Sequence, residues 1–164
     1  MNLSKLITIG VYGYTEEEFF DSLKKARVDT FCDIRRRRGL RGSKYAFANS
    51  ERLQERLEEM GIRYLHFKDL SPSEKLIRYQ GKVDQEQGVP RRERSDLCEE
   101  FIEGYENEVL KDFDASAFVE ELGPEASRIA LFCVEGEPTA CHRSLLANYL
   151  AKAMGVKVEH LRPG

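Results

Sequence analysis

Cys141-His142-Arg143-Ser144 is the stretch of this chain best equipped for chemistry. It follows the apolar run Leu131–Val134, which contains Cys133, and a loop that carries Glu135. A cysteine at a helix start beside an arginine has a lowered thiol pKa, a histidine exchanges protons near neutral pH, and free N–H groups at a helix start favour an anion. A second group lies upstream, where Asp33 and Arg35 open a run with Arg36, Arg37, Arg38, Arg41 and Lys44. Residues 35–44 hold no acid and carry +6, which leaves −9 on the rest of a chain whose net charge is −3. Such an imbalance fits a local anion site better than a surface that coats nucleic acid. A small anionic ligand is therefore the expected partner, and nucleic acid is the less favoured one.

Three familiar signatures are absent. A cysteine phosphatase needs arginine six positions after its cysteine, but Thr139 stands six after Cys133 and Ala147 six after Cys141. Gly10 and Gly13 form only a fragment of a dinucleotide fingerprint, and there is no P-loop. Cys133, Glu135, Cys141 and His142 are of metal-ligating type, yet their spacing matches no standard finger or ribbon, so no metal is assigned. The pattern names no cofactor and no oligomeric state.

The elements that must position these residues follow from periodicity. Leu6–Val11, Val28–Ile34, Ile62–Phe67 and Arg128–Val134 read as buried strands, and Val156–His160 as an edge strand. Thr15 with Glu18 forms a capping box before Phe19, Phe20, Leu23 and Ala26. Asn49 or Ser50 starts a second helix with Leu53, Leu57 and Met60 on one stripe, ended at Gly61. Residues 68–94 break the rhythm and are expected to form a long charged loop, a candidate flap. Ser95 is the expected cap of the helix that carries Leu97, Phe101, Ile102, Tyr105 and Val109. Further helices are expected over Ala115–Leu122 and His142–Met154, the latter burying Leu145, Leu146, Tyr149, Leu150 and Ala153.

Alternation of strand and helix predicts one α/β domain over residues 1–164, three-layered, Rossmann-like or flavodoxin-like, with a mostly parallel sheet of about five strands. A chain of 164 residues suffices for one full core. That core needs no disulfide staples, so the four cysteines are expected to be reduced thiols. No apolar run approaches the roughly 18 residues of a membrane span, and the N-terminus has no signal-peptide pattern, so a cytoplasmic protein with no membrane partner is expected.

In open parallel sheets ligands bind beyond the carboxyl ends of the strands. There this reading places Asp33, Glu135 and His142 as proton-transfer candidates. It places Gly10, Tyr12, Gly13, Arg35, Arg36, His66, Cys141, Arg143 and Ser144 as ligand contacts. The expected function is binding, with hydrolysis or group transfer as the reaction class if the site is catalytic, of a phosphorylated or nucleotide-like molecule. Alternatives are a nucleic-acid module using the basic loop, or thiol or metal chemistry at Cys133 and Cys141.

Several motifs in order also resemble a known family. Thr8-Ile9-Gly10 precedes Thr15 and Phe19; Cys32-Asp33-Ile34-Arg35 follows; Tyr45 and Phe47 precede a helix; Gly61-Ile62-Arg63-Tyr64 leads to His66; and Phe132-Cys133, Glu135 and Cys141-His142-Arg143-Ser144 close the set. Together they are similar to the domain-of-unknown-function 488 family. The resemblance implies site positions at Gly10, Asp33, Arg35, Glu135, Cys141, His142 and Arg143, and brings no reaction with it. Two stretches depart from the family pattern: arginines replace the proline and serine common after the Asp-x-Arg, and Leu70-Ser71-Pro72 stands where Leu-Gly-Gly is common.

Overall fold

Three strands end level with one another, and that places the site. In the computed structural model, which describes residues 3–164, β1 (Lys5–Ile9), β2 (Thr30–Asp33) and β4 (Arg128–Phe132) lie side by side, with Ile9 and Asp33 both opposite Phe132. The loops that leave them begin at neighbouring points. β3 (Arg63–His66) and β5 (Val158–His160) flank this trio to give the order β3-β2-β4-β1-β5, with every pair parallel. The expected α/β sheet is thus parallel throughout. In Rossmann and flavodoxin sheets β1 and β2 are neighbours; here β4 stands between them.

Alternating side chains build two cores, one on each face. Ile7, Ile9, Phe31, Ala130 and Phe132 face α1 (Glu16–Lys25) and α2 (Ser50–Glu59), where Phe19 packs against Phe20, Phe31, Phe47 and Phe132. Leu6, Cys32, Ile129 and Leu131 face α4 (Glu99–Glu108), α5 (Ala115–Leu122) and α6 (His142–Met154). Helix, sheet and helix make the three expected layers.

Local signals explain most of the element ends. Thr15 Oγ1 accepts from the Glu18 N–H and donates to its carboxylate, so the capping box starts α1. Gly155, at φ 66, ends α6 in the left-handed conformation that costs glycine nothing. Asn49 precedes α2, but its side chain accepts from the Leu40 N–H and ties down the arginine loop instead of capping.

Three expectations are corrected. Residues 68–94 are not one long loop, because α3 (Glu74–Glu86) lies within them, capped by Ser73 Oγ on the Leu76 N–H. Its buried positions are Gln80 and Asp84, so no apolar stripe marks it. Ser95 does not cap α4; the N-cap is Cys98, whose N–H is taken by Gln80 Oε1 at 2.9 Å. The buried stripe of α6 is also rotated, running through Arg143, Leu146, Ala147 and Leu150, while Tyr149 and Ala153 face outward. No helix among the described residues is long and apolar enough to cross a membrane.

Candidate functional site

A cleft of about 1010 Å³ opens where β1, β2 and β4 end, roofed by α3 and by residues 89–94. After β4 the connection leads to α6 on one face, while after β1 and β2 it leads to α1 and α2 on the other. Chains that diverge in this way leave a crevice between them. The fold brings Tyr12, Arg35, Arg36, Glu135, Cys141 and His142 to the cleft, together with Cys133. Gly13 lines only a smaller hollow beside it, and Gly10, Asp33, His66, Arg143 and Ser144 lie behind the cleft wall.

Those hidden residues shape the wall. Asp33 accepts from Arg35 Nε at 2.9 Å and Arg35 Nη2 at 2.8 Å, and its Oδ2 also takes the Tyr64 hydroxyl at 2.6 Å. Both oxygens of this fully buried carboxylate are engaged, so Asp33 serves as a clamp for Arg35. Burial, reinforced by the Asp33 charge, pushes the Tyr64 phenol up to about 12, which keeps it a donor. The His66 Nε2–H donates to the Arg35 carbonyl at 2.8 Å and holds the same turn from below.

Arg143 is fully buried, and its guanidinium donates to the carbonyls of Glu135 and Gly136. Burial lowers its pKa to about 10, so it remains a cation at neutral pH. The 135–136 turn passes so close to β1 that a Cβ on Gly10 would lie 1.8 Å from the Glu135 carbonyl oxygen, which explains the glycine. Gly13, at φ 93, donates its N–H to the Tyr45 hydroxyl at 3.0 Å. Ser144 Oγ donates to the Cys141 carbonyl within the first turn of α6.

The cleft floor is chemically denser. Glu135 is buried and its Oε1 accepts from Arg91 Nε at 2.9 Å and Arg94 Nη2 at 2.8 Å. Burial alone would raise its carboxyl pKa, but Arg91 and then Arg94 outweigh that and hold it below the usual range. Burial drives His142 down to about 4, against a smaller opposing effect from its bond to the Ile34 carbonyl. Both groups therefore stand in their basic forms at pH 7 and hold a proton only weakly.

The expectation of four separate thiols fails for one pair. The loop from β4 folds back so that the sulfurs of Cys133 and Cys141 meet as a disulfide, with Cα atoms 6.9 Å apart. Cys32 is buried and Cys98 half-buried, both free, and burial raises the Cys32 thiol far above its ordinary value. Cys141 is also the N-cap of α6, its Sγ accepting the Arg143 N–H at 3.5 Å. One N–H that an anion at this helix start would use is therefore already engaged.

Arg78, Arg91, Arg92 and Arg94 belong to the site although periodicity and motif did not mark them. The run Pro90-Arg91-Arg92-Glu93-Arg94 is a second basic cluster, and charge patterning was the signal that could have found it.

Fold and cleft define a parallel α/β protein with a ligand-sized basic crevice at the carboxyl edge of its sheet. The model described as "Domain of unknown function DUF488" matches residues 15–150, and the chain belongs to that family. No curated protein and no solved structure matches it.

Proposed function

We propose that the cleft binds a phosphorylated, nucleotide-like small molecule. The observation that carries this reading is charge. Nine arginines and lysines line the cleft against three acids, Glu74, Asp84 and Glu135, in a chain whose net charge is −3. Each of those acids is already paired with an arginine, on Arg37, Arg94 and Arg91 with Arg94 respectively. The side chains of Arg41, Arg78 and Arg92, all exposed, make no hydrogen bond or ion pair among the described residues. The buried Arg35, on the cleft wall, has one nitrogen, Nη1, without an acceptor. Planar guanidinium donors of this kind match phosphate oxygens.

Shape extends the reading from a bare anion to a nucleotide-like one. A cleft of about 1010 Å³ exceeds what a lone phosphate fills, and it falls at the upper end of small-molecule sites. The Tyr12 and Tyr45 rings, 5.3 Å apart, and the exposed Ile77 supply apolar and aromatic surface beside the cations. Calorimetric titration with a panel of nucleoside and sugar phosphates tests the reading. Saturable binding of at least one member, weakened by Arg92→Ala, is the expected result, and no heat at millimolar ligand would reject it.

A further inference from the structure

Cys133, Glu135, Cys141 and His142 converge at the floor of the cleft, where β4 ends and α6 begins. One ligand atom from each of Cys133, Cys141 and His142 lies within 4.8 Å of the others, and all three residues are buried. The histidine tautomer follows from its far side. His142 Nε2 lies 2.9 Å from the Ile34 carbonyl, which only accepts, so the ring proton sits on Nε2. Nδ1 then carries a lone pair, and it faces Cys133 Sγ and Cys141 Sγ at 3.6 Å each.

Glu135 is arranged in the same way. Arg91 and Arg94 occupy Oε1, while Oε2 faces Cys133 Sγ at 3.3 Å. Two buried lone-pair groups, an imidazole nitrogen and a carboxylate oxygen, therefore point at two sulfurs. In a disulfide those sulfurs have no proton to offer either acceptor. Thiol protons satisfy them weakly. A cation bound between two thiolates and the imidazole satisfies all three of these ligand atoms at once.

We propose that the reduced pair, with His142, forms a Cys2His site for a divalent cation of the zinc class, its fourth position open toward the cleft. The donor set decides the class. Two thiolates and an imidazole suit zinc and its borderline neighbours, whereas magnesium and calcium require oxygen ligands. The surrounding bonds are those of a supported metal site, in which a histidine ligand donates its other N–H to a carbonyl. Spacing hides the site, because its ligands come from a strand end and a helix start instead of from paired knuckles.

Binding moves no electrons, since the two thiols release two protons to solvent as the cation enters. The disulfide and the metal exclude each other, so the pair must first be reduced. A trialkylphosphine does this, becoming the phosphine oxide while water supplies its oxygen and the two thiol protons. The sulfurs must then separate to about 3.7 Å, as a tetrahedral site with zinc–sulfur bonds of about 2.3 Å requires. Cα atoms 6.9 Å apart leave room for side-chain rotation to do this.

The test titrates the full chain with cobalt(II), after phosphine reduction and chelator treatment. Sulfur-to-cobalt charge-transfer absorption and strong visible bands should rise together and saturate at one equivalent, and zinc should erase them. Cys98→Ser should leave the spectrum unchanged, while Cys133→Ser and Cys141→Ser should each abolish saturation at one equivalent. Should the latter two fail to fold, alkylation of the unaltered protein reads the same point, because zinc should protect Cys133 and Cys141 and leave Cys98 reactive. Absence of charge-transfer absorption in the reduced, folded chain, or protection that maps elsewhere, would overturn the proposal. The site does not depend on what the rest of the cleft binds.

Discussion

Two groups of arginines meet at one sheet edge and differ in nearly every physical respect. Arg35 and Arg143 are buried and spend most of their donors on the protein itself, on Asp33 and on the carbonyls of residues 135 and 136, leaving only Arg35 Nη1 and Arg143 Nε over. Arg41, Arg78 and Arg92 are exposed, line the cleft and touch no acid among the described residues. The interior pair holds the loops that form the cleft walls, and the rim group leaves its charge available. A buried cation without its partners is costly, whereas an exposed one costs almost nothing, so the two groups should separate cleanly under mutation.

The largest effect should come from Arg143→Met. It strands one buried and one half-buried carbonyl at the turn that carries Glu135, and chemical denaturation should show a loss of about 3 kcal/mol. A change within about 0.5 kcal/mol would place Arg143 with the rim group instead. Gly10→Ala comes next, because its Cβ would collide with the Glu135 carbonyl oxygen and force β1 and this turn apart. A loss of about 1–3 kcal/mol is expected in the same assay, and a neutral result would mean that the turn yields freely.

The Tyr64 phenol gives a smaller and more local reading of the Asp33–Arg35 clamp. With its pKa pushed up to about 12, it should stay protonated where an ordinary tyrosine, at about 10, ionises. Ultraviolet titration curves of the unaltered protein and of Tyr64→Phe should overlay up to about pH 11. A tyrosinate step near pH 10 that disappears in the variant would show that burial and the Asp33 charge do not reach this hydroxyl.

Much of this was legible in the chain and some was not, for reasons that lie in particular residues. The last helix spans His142–Met154 as its caps and period imply, and the five strands fall where β-branched and apolar runs place them. Helix α3 was hidden because polar Gln80 and Asp84 occupy its buried face, and hydrophobic period is blind to such a helix. Arg143 reads from its motif as a ligand contact, and only its bonds to the carbonyls of residues 135 and 136 place it behind the cleft wall. The meeting of Cys133 with Cys141 depends on a loop that doubles back over a separation of eight residues, and no spacing rule anticipates it. The position of β4 between β1 and β2 is likewise a long-range choice that local pattern does not encode.

One measurement bears most directly on the division between holding and binding arginines. It is calorimetric titration of the unaltered protein and of the Arg78→Ala/Arg92→Ala double variant with whichever phosphorylated ligand binds, alongside thermal melts of both. The double variant should keep its stability within about 0.5 kcal/mol and lose at least about tenfold in affinity, equivalent to about 1.4 kcal/mol. Unchanged affinity in a fully folded double variant would contradict that division.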